Sequence, residues 1–243
     1  MMMAMVSYRG TGNHIILWGF FLLLLPFHLA IVQKITNLPV HKVALRQSDP
    51  QSPFCYAVSS SDDLTPQQNF LATQVWPSAR AAAHFLQQHC NPSWIVCELG
   101  CGPGLPSLTA AKMHCRGVIA TDLDKFALEL VQAAATEQGM TQLTTDQVDL
   151  RKDYLPLADL YVLSDVFESA AVAKGAAVLT KNALERGARV WVFAQTDRAQ
   201  REVYLEEIKS FQPQASWIAP KSSDSSFSKL LLLDVNEELV QYN

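Results

Sequence analysis

From Trp94 onward this 243-residue sequence alternates between short apolar runs and longer stretches with apolar residues at helical spacing, and this alternation restricts the fold more than any other feature. "WIVCEL" (94–99) reads as a buried strand, "LPSLTAAKMH" (105–114) as a helix, "GVIATD" (117–122) as a strand, "KFALELVQAAATEQG" (125–139) as a helix ended by Gly139, and "LTTDQVDL" (143–150) as a third strand. There follow a strand in "ADLYVLSDV" (158–166), a helix over 168–187 closed by Gly187, a strand in "ARVWVFAQT" (188–196), and a helix over 197–211 capped by Asp197. Strands separated by helices pair in parallel through right-handed crossovers, so the sequence predicts an α/β, doubly wound, mostly parallel sheet. Two last runs, "ASWIAP" (215–220) and "SKLLLLDV" (228–235), bring the strands to seven and read as a C-terminal antiparallel hairpin.

The chain divides into three parts. Residues 1–33 hold His14 to Val32, a run without Lys, Arg, Asp or Glu that is long enough to cross a hydrocarbon core of about 30 Å as a helix. It reads as a membrane anchor, the alternatives being a cleaved signal or a misassigned start; the heavier positive charge after it (Lys34, Lys42, Arg46) leaves the body facing the cytosol. Residues 34–64, rich in Ser, Asp, Gln and Pro, read as an irregular linker. The folded domain covers 65–243 and opens with a helix from Pro66 toward Val75 and another from Ser78, "SARAAAHFLQQH".

Residues 1–50 carry a net charge of +3, which leaves −7 on the rest of a chain whose total is −4. An acidic body without a basic stripe excludes a nucleic-acid footprint. The five cysteines form no Cys-x-x-Cys pair and no Cys/His ligand spacing, so neither a metal nor a disulfide framework is expected.

Chemistry concentrates in "ELGCGPG" (98–104), at the end of the first strand, where ligands of a doubly wound sheet bind. The turn of Gly100, Cys101, Gly102 and Gly104 brings backbone close to a ligand, and the next helix adds its positive end. A dinucleotide fingerprint would need a third glycine where Leu105 stands. Glu98 would oppose a pyrophosphate but suit an ammonium group, which favours S-adenosylmethionine, a phosphate-free cation, over a nicotinamide dinucleotide. Asp122, at the end of the second strand and followed by Leu123, can accept hydrogen bonds from ribose hydroxyls. Asp149 and Leu150, closing the third strand, can receive and cover an adenine, although a strand-end Asp also serves as a turn residue.

The residues "ELGCGPG", "ATDLD" and "ADLYVLSDV" resemble the seven-β-strand, Rossmann-like S-adenosylmethionine-dependent methyltransferases. "FLATQVWPSARAAAHFLQQH" placed before "ELGCGPGLPSLTAAKM" is similar to the methyltransferase family sixteen branch, which includes small protein-lysine methyltransferases. The resemblance implies Trp76 as a cofactor contact, Ser164 at the cofactor end of the fourth strand, and Asp165 at the acidic position of an Asp-x-x-Tyr motif that frames the target lysine. Glu168 replaces the aromatic of that motif; it can attract a cationic amine or simply favour a helix N-terminus, and neighbouring Phe167 offers an aromatic wall if the loop is shifted. Implied are methyl transfer from S-adenosylmethionine to a protein lysine ε-amine, with a protein partner and no metal or nucleic acid. The alternatives are small-molecule N-methylation and a cofactor-binding regulatory protein on the same scaffold.

Overall fold

The structure, a computed structural model, describes residues 43–47, 55–59, 75–152, 154–218 and 229–233. Two short strands, β1 (Val43–Gln47) and β2 (Cys55–Ser59), pair antiparallel with Val43 opposite Ser59, within the stretch expected to be irregular. The apolar run 14–32 and residues 66–74 of the helix expected from Pro66 toward Val75 lie outside the described residues, and Val75 itself is not helical. Among the described residues no helix is long and apolar enough to cross a membrane.

The remaining elements follow the expected alternation: α1 (Pro77–His89), β3 (Ile95–Leu99), α2 (Leu105–Lys112), β4 (Gly117–Asp122), α3 (Lys125–Glu137), β5 (Leu143–Gln147), β6 (Leu160–Ser164), α4 (Ala170–Glu185), β7 (Arg189–Ala194), α5 (Gln200–Lys209) and β8 (Lys229–Leu233). The α1 helix starts one residue earlier than expected because Pro77 fits its first turn, with Trp76 as N-cap. The α5 helix instead starts after Asp197: its N-cap is Ala199, so the expected Asp cap is not used.

The sheet order is β5-β4-β3-β6-β7-β8, with the first five strands parallel. This sheet holds six strands among the described residues, not the seven expected. Among the described residues no hairpin joins the two last runs; β8 lies antiparallel along β7, covering the backbone edge that β7 would otherwise leave unpaired.

Side chains alternate between the two faces of the sheet. Val96, Val118, Ala120, Leu160, Val162 and Phe193 join a core roofed by α1, α2 and α3. Cys97, Leu99, Tyr161, Leu163, Val190 and Val192 join a second core under α4 and α5. Such double burial explains why the central strands are almost continuously apolar. The α1 and α2 helices end side by side, bringing Cys90 next to Cys115 with their Cα atoms 7.3 Å apart.

Candidate functional site

The chain runs outward from β3 through β4 to β5 and then returns to β6 on the other side of β3, so the carboxyl ends of β3 and β6 flank a switch point. A cavity of about 770 Å³ opens there, within the range of cofactor sites. Of the expected residues, Trp76, Gly100, Cys101, Gly102, Asp122, Leu123, Asp149, Leu150, Ser164, Asp165 and Glu168 line it; Glu98 and Gly104 do not.

The glycine loop is shaped mainly by its own protein. Gly100 has φ +72°, and a Cβ there would lie 2.6 Å from Val166 Cγ1; Gly104 has φ +73°, and a Cβ would lie 2.5 Å from Val131 Cγ2. The amides of Cys101, Gly102 and Gly104 donate to Thr121 O, Asp122 Oδ2 and Cys101 O, so they are not the ligand donors that the motif suggested. Burial pushes the Cys101 thiol well up, which keeps it protonated and inert.

Glu98 points away from the cavity. Position 98 shares its strand face with Val96, so the side chain turns under α2 and is fully buried. Gly104, the N-cap of α2, has no side chain to cap with; Glu98 Oε2 takes that role, accepting from Ser107 N at 2.8 Å and Ser107 Oγ at 2.5 Å. Its Oε1 has no hydrogen-bond partner. Burial raises the carboxyl to about 8 against the lowering effect of Ser107, so Glu98 is neutral at pH 7 and supplies no charge for an ammonium group.

Asp122 is well placed for a ribose. Its Oδ2 accepts from Gly102 N at 2.8 Å and its Oδ1 from Asp124 N at 2.9 Å, leaving each oxygen a lone pair. Burial raises its pKa, opposed by these amides. Asp149, expected as an adenine acceptor, is already engaged: Arg151 Nε and Nη2 reach its two oxygens at 2.8 and 2.9 Å, a bidentate pair that holds the carboxyl down at about 2.

At the end of β6, Asp165 takes φ +61°, rare for a residue with a Cβ. Its carboxylate is committed: Oδ1 accepts from Gln195 N at 3.2 Å, Oδ2 accepts from Gln195 Nε2, and Arg198 Nε lies 3.2 Å from Oδ2. Asp165 therefore serves as a fixed anchor in the cavity wall and is not a free proton acceptor. Glu168, on the exposed rim, has its pKa raised by partial burial and Asp122, against Arg198 and Arg151. Phe167 supplies no aromatic wall: it is buried against Tyr204 and Trp217, with ring centroids 5.0 and 6.4 Å away.

Sequence reasoning missed Lys125 and Arg151, which line the cavity, and Gln195 and Arg198, which hold Asp165 from the loop after β7. The spacing of Asp149 and Arg151 was a readable local signal for one of them; the contact from Arg198 to Asp165 crosses 33 residues and leaves no pattern. Five carboxylates (Asp122, Asp124, Asp149, Asp165, Glu168) and two cations (Lys125, Arg151) line the cavity. That donor set fits a cationic, phosphate-free cofactor with a ribose and opposes a pyrophosphate.

A family profile described as lysine methyltransferase matches residues 63–211, more than half of the chain. The ribosomal protein L11 methyltransferase of Thermoanaerobacter pseudethanolicus is 23% identical over 149 residues, 61% of this chain and 47% of that protein. The chain thus spans about half the length of the curated relative it matches. Among solved structures, SMU.776 complexed with SAH superposes with a TM-score of 0.55 at 16% identity, covering 75% of this chain and 54% of that one. An rRNA methylase from Streptococcus thermophilus gives 0.50 at 14%, covering 67% and 98%. Both likenesses are of fold. With the profile covering the switch-point cavity and the strands around it, the chain belongs to the lysine methyltransferase family, a branch of the S-adenosylmethionine-dependent methyltransferases.

Proposed function

We propose that this protein transfers the methyl group of S-adenosylmethionine to the ε-amine of a protein lysine. The observation that carries the reading is the surplus of carboxylates around the cavity, because both a sulfonium donor and a lysine acceptor arrive as cations. A relative named for methylating a ribosomal protein supports a protein acceptor.

When bound, S-adenosylmethionine supplies a methyl group on a positively charged sulfur, ready for in-line attack. The chain's own residues bind, orient and exclude water. Asp122 would accept from the ribose hydroxyls, Leu123 and Leu150 would flank the base, Asp149 would receive its amino group on a remaining lone pair, and Trp76 and Ser164 would close the sides. Glu168 draws the amine to the rim and, with its raised pKa, is more basic than an ordinary carboxylate and can take the proton that must leave nitrogen before attack. Asp165, held by Gln195 and Arg198, fixes the wall against which the amine aligns.

The full chain, incubated with methyl-labelled donor and a protein lysate, is expected to yield labelled N-methyl-lysine after acid hydrolysis. Label found only in the small-molecule fraction would replace the protein acceptor with a metabolite, and donor binding without any label transfer would leave a regulatory binding protein. For the donor side, Asp122→Ala is expected to weaken binding of S-adenosylhomocysteine by about 1–3 kcal/mol, the range for hydrogen bonds to a charged group. Calorimetric titration reads this, and an unchanged affinity would remove Asp122 from the ribose.

A further inference from the structure

Three separated stretches of chain meet at one guanidinium. Arg198, between β7 and α5, places its Cζ 4.6 Å over the ring of Trp76, the N-cap of α1, while its Nε lies 3.2 Å from Asp165 Oδ2 at the end of β6. Trp76 and Asp165 both line the cavity; Arg198 stands behind them, with 30% of its side chain exposed against 1% for Asp165. Only a planar cation can stack on an indole with its face and donate along its edge to a carboxylate. Gln195 reinforces the arrangement by binding both Asp165 oxygens, and Arg201 Nη1 donates to Gln195 O at 2.9 Å, holding the loop that carries Arg198. Asp165 keeps its left-handed backbone within this clasp, a conformation that persists only where its surroundings over-determine it.

We propose that Arg198 is a positioning residue that ties the donor wall of the cavity, at Trp76, to its acceptor wall, at Asp165. The inference rests on the assignment of this cavity to methyl transfer. Arg198 acts through its two neighbours, setting the tilt of the indole and the direction of the carboxylate together, so that a change at Asp165 is felt at Trp76. A lysine at this position keeps the charge but not the plane, and therefore not the coupling.

Donor-side binding tests this without a known acceptor. S-adenosylhomocysteine is titrated into the full chain and into Asp165→Asn, Arg198→Ala, Arg198→Lys and the Asp165→Asn/Arg198→Ala double variant, with thermal unfolding confirming that each folds. Arg198→Ala is expected to weaken binding about tenfold, and Arg198→Lys to fall with it rather than with the parent. Asp165→Asn is expected to weaken binding severalfold alone and to add nothing in the Arg198→Ala background. Additive losses, or an Arg198→Lys variant that binds like the parent, would overturn the coupling while leaving the cavity assignment standing. A parent chain that does not bind S-adenosylhomocysteine would instead overturn the assignment itself.

Discussion

Gly175→Ala is expected to destabilise the protein and loosen its cofactor site, although the same change in an exposed helix interior stabilises by about 1 kcal/mol. Gly175 lies within α4, and a Cβ there would stand 2.1 Å from Leu150 O and 2.8 Å from Arg151 Cα. Both are backbone atoms, so no rotamer relieves the clash and the loop after β5 must retreat. Overpacking of this kind costs about 1–3 kcal/mol or more, which outweighs the propensity gain. The melting temperature should fall by several degrees, at about 2–4 °C per kcal/mol for a chain of this size. Because Leu150 and Arg151 both line the cavity, affinity for S-adenosylhomocysteine should fall with it. A higher melting temperature with unchanged affinity would show that α4 and the loop do not need this contact.

The second large effect is a pH dependence centred on Glu98. Burial raises its folded pKa to about 8, against about 4.3 in the unfolded chain. Between those values the unfolded chain has released the proton and the folded chain still holds it, so unfolding releases a proton and stability declines as pH rises. The decline begins above the unfolded value and is complete above about pH 8, with a total on the order of 5 kcal/mol. Glu98→Gln keeps an acceptor for Ser107 and cannot ionise. Denaturant unfolding at pH 5.5 and pH 8.5 should show the parent losing several kcal/mol more than the variant across that window. Parallel losses in the two proteins would mean that Glu98 ionises without cost beneath α2.

Glu98 also shows where sequence reading succeeds and where it stops. The order of strands and helices was legible because burial on both sheet faces writes apolar runs into β3, β4, β6 and β7, and glycines mark several of the turns between them. The cavity's location followed from the same order. Glu98, however, belongs to a strand whose side chains alternate faces, and its adjacency to the glycine loop suggested a ligand contact that its shared face with Val96 denies. Gly175 leaves no local signal in an alanine-rich helix, because the backbone that it admits comes from residues 150 and 151. Asp165 was identified as a site residue, yet its partners Gln195 and Arg198 come from the next crossover, where only the folded chain brings them together. The antiparallel last strand was expected, but its neighbour is β7, because an open sheet edge attracts a strand more strongly than a short local run does.

The loop between β3 and α2, together with the first turn of α2, is fastened at four points: Cys101 to β4, Gly102 to Asp122, Gly104 to Cys101, and Ser107 to Glu98. Ordering a backbone costs about 1–2 kcal/mol per residue in lost conformational freedom, and here that loss falls on folding and not on ligand capture. An arriving cofactor therefore meets a rigid rim and keeps the free energy that it would otherwise lose in shaping one. It should add to the protein's stability only through mass action on an already finished site, growing with the logarithm of its concentration.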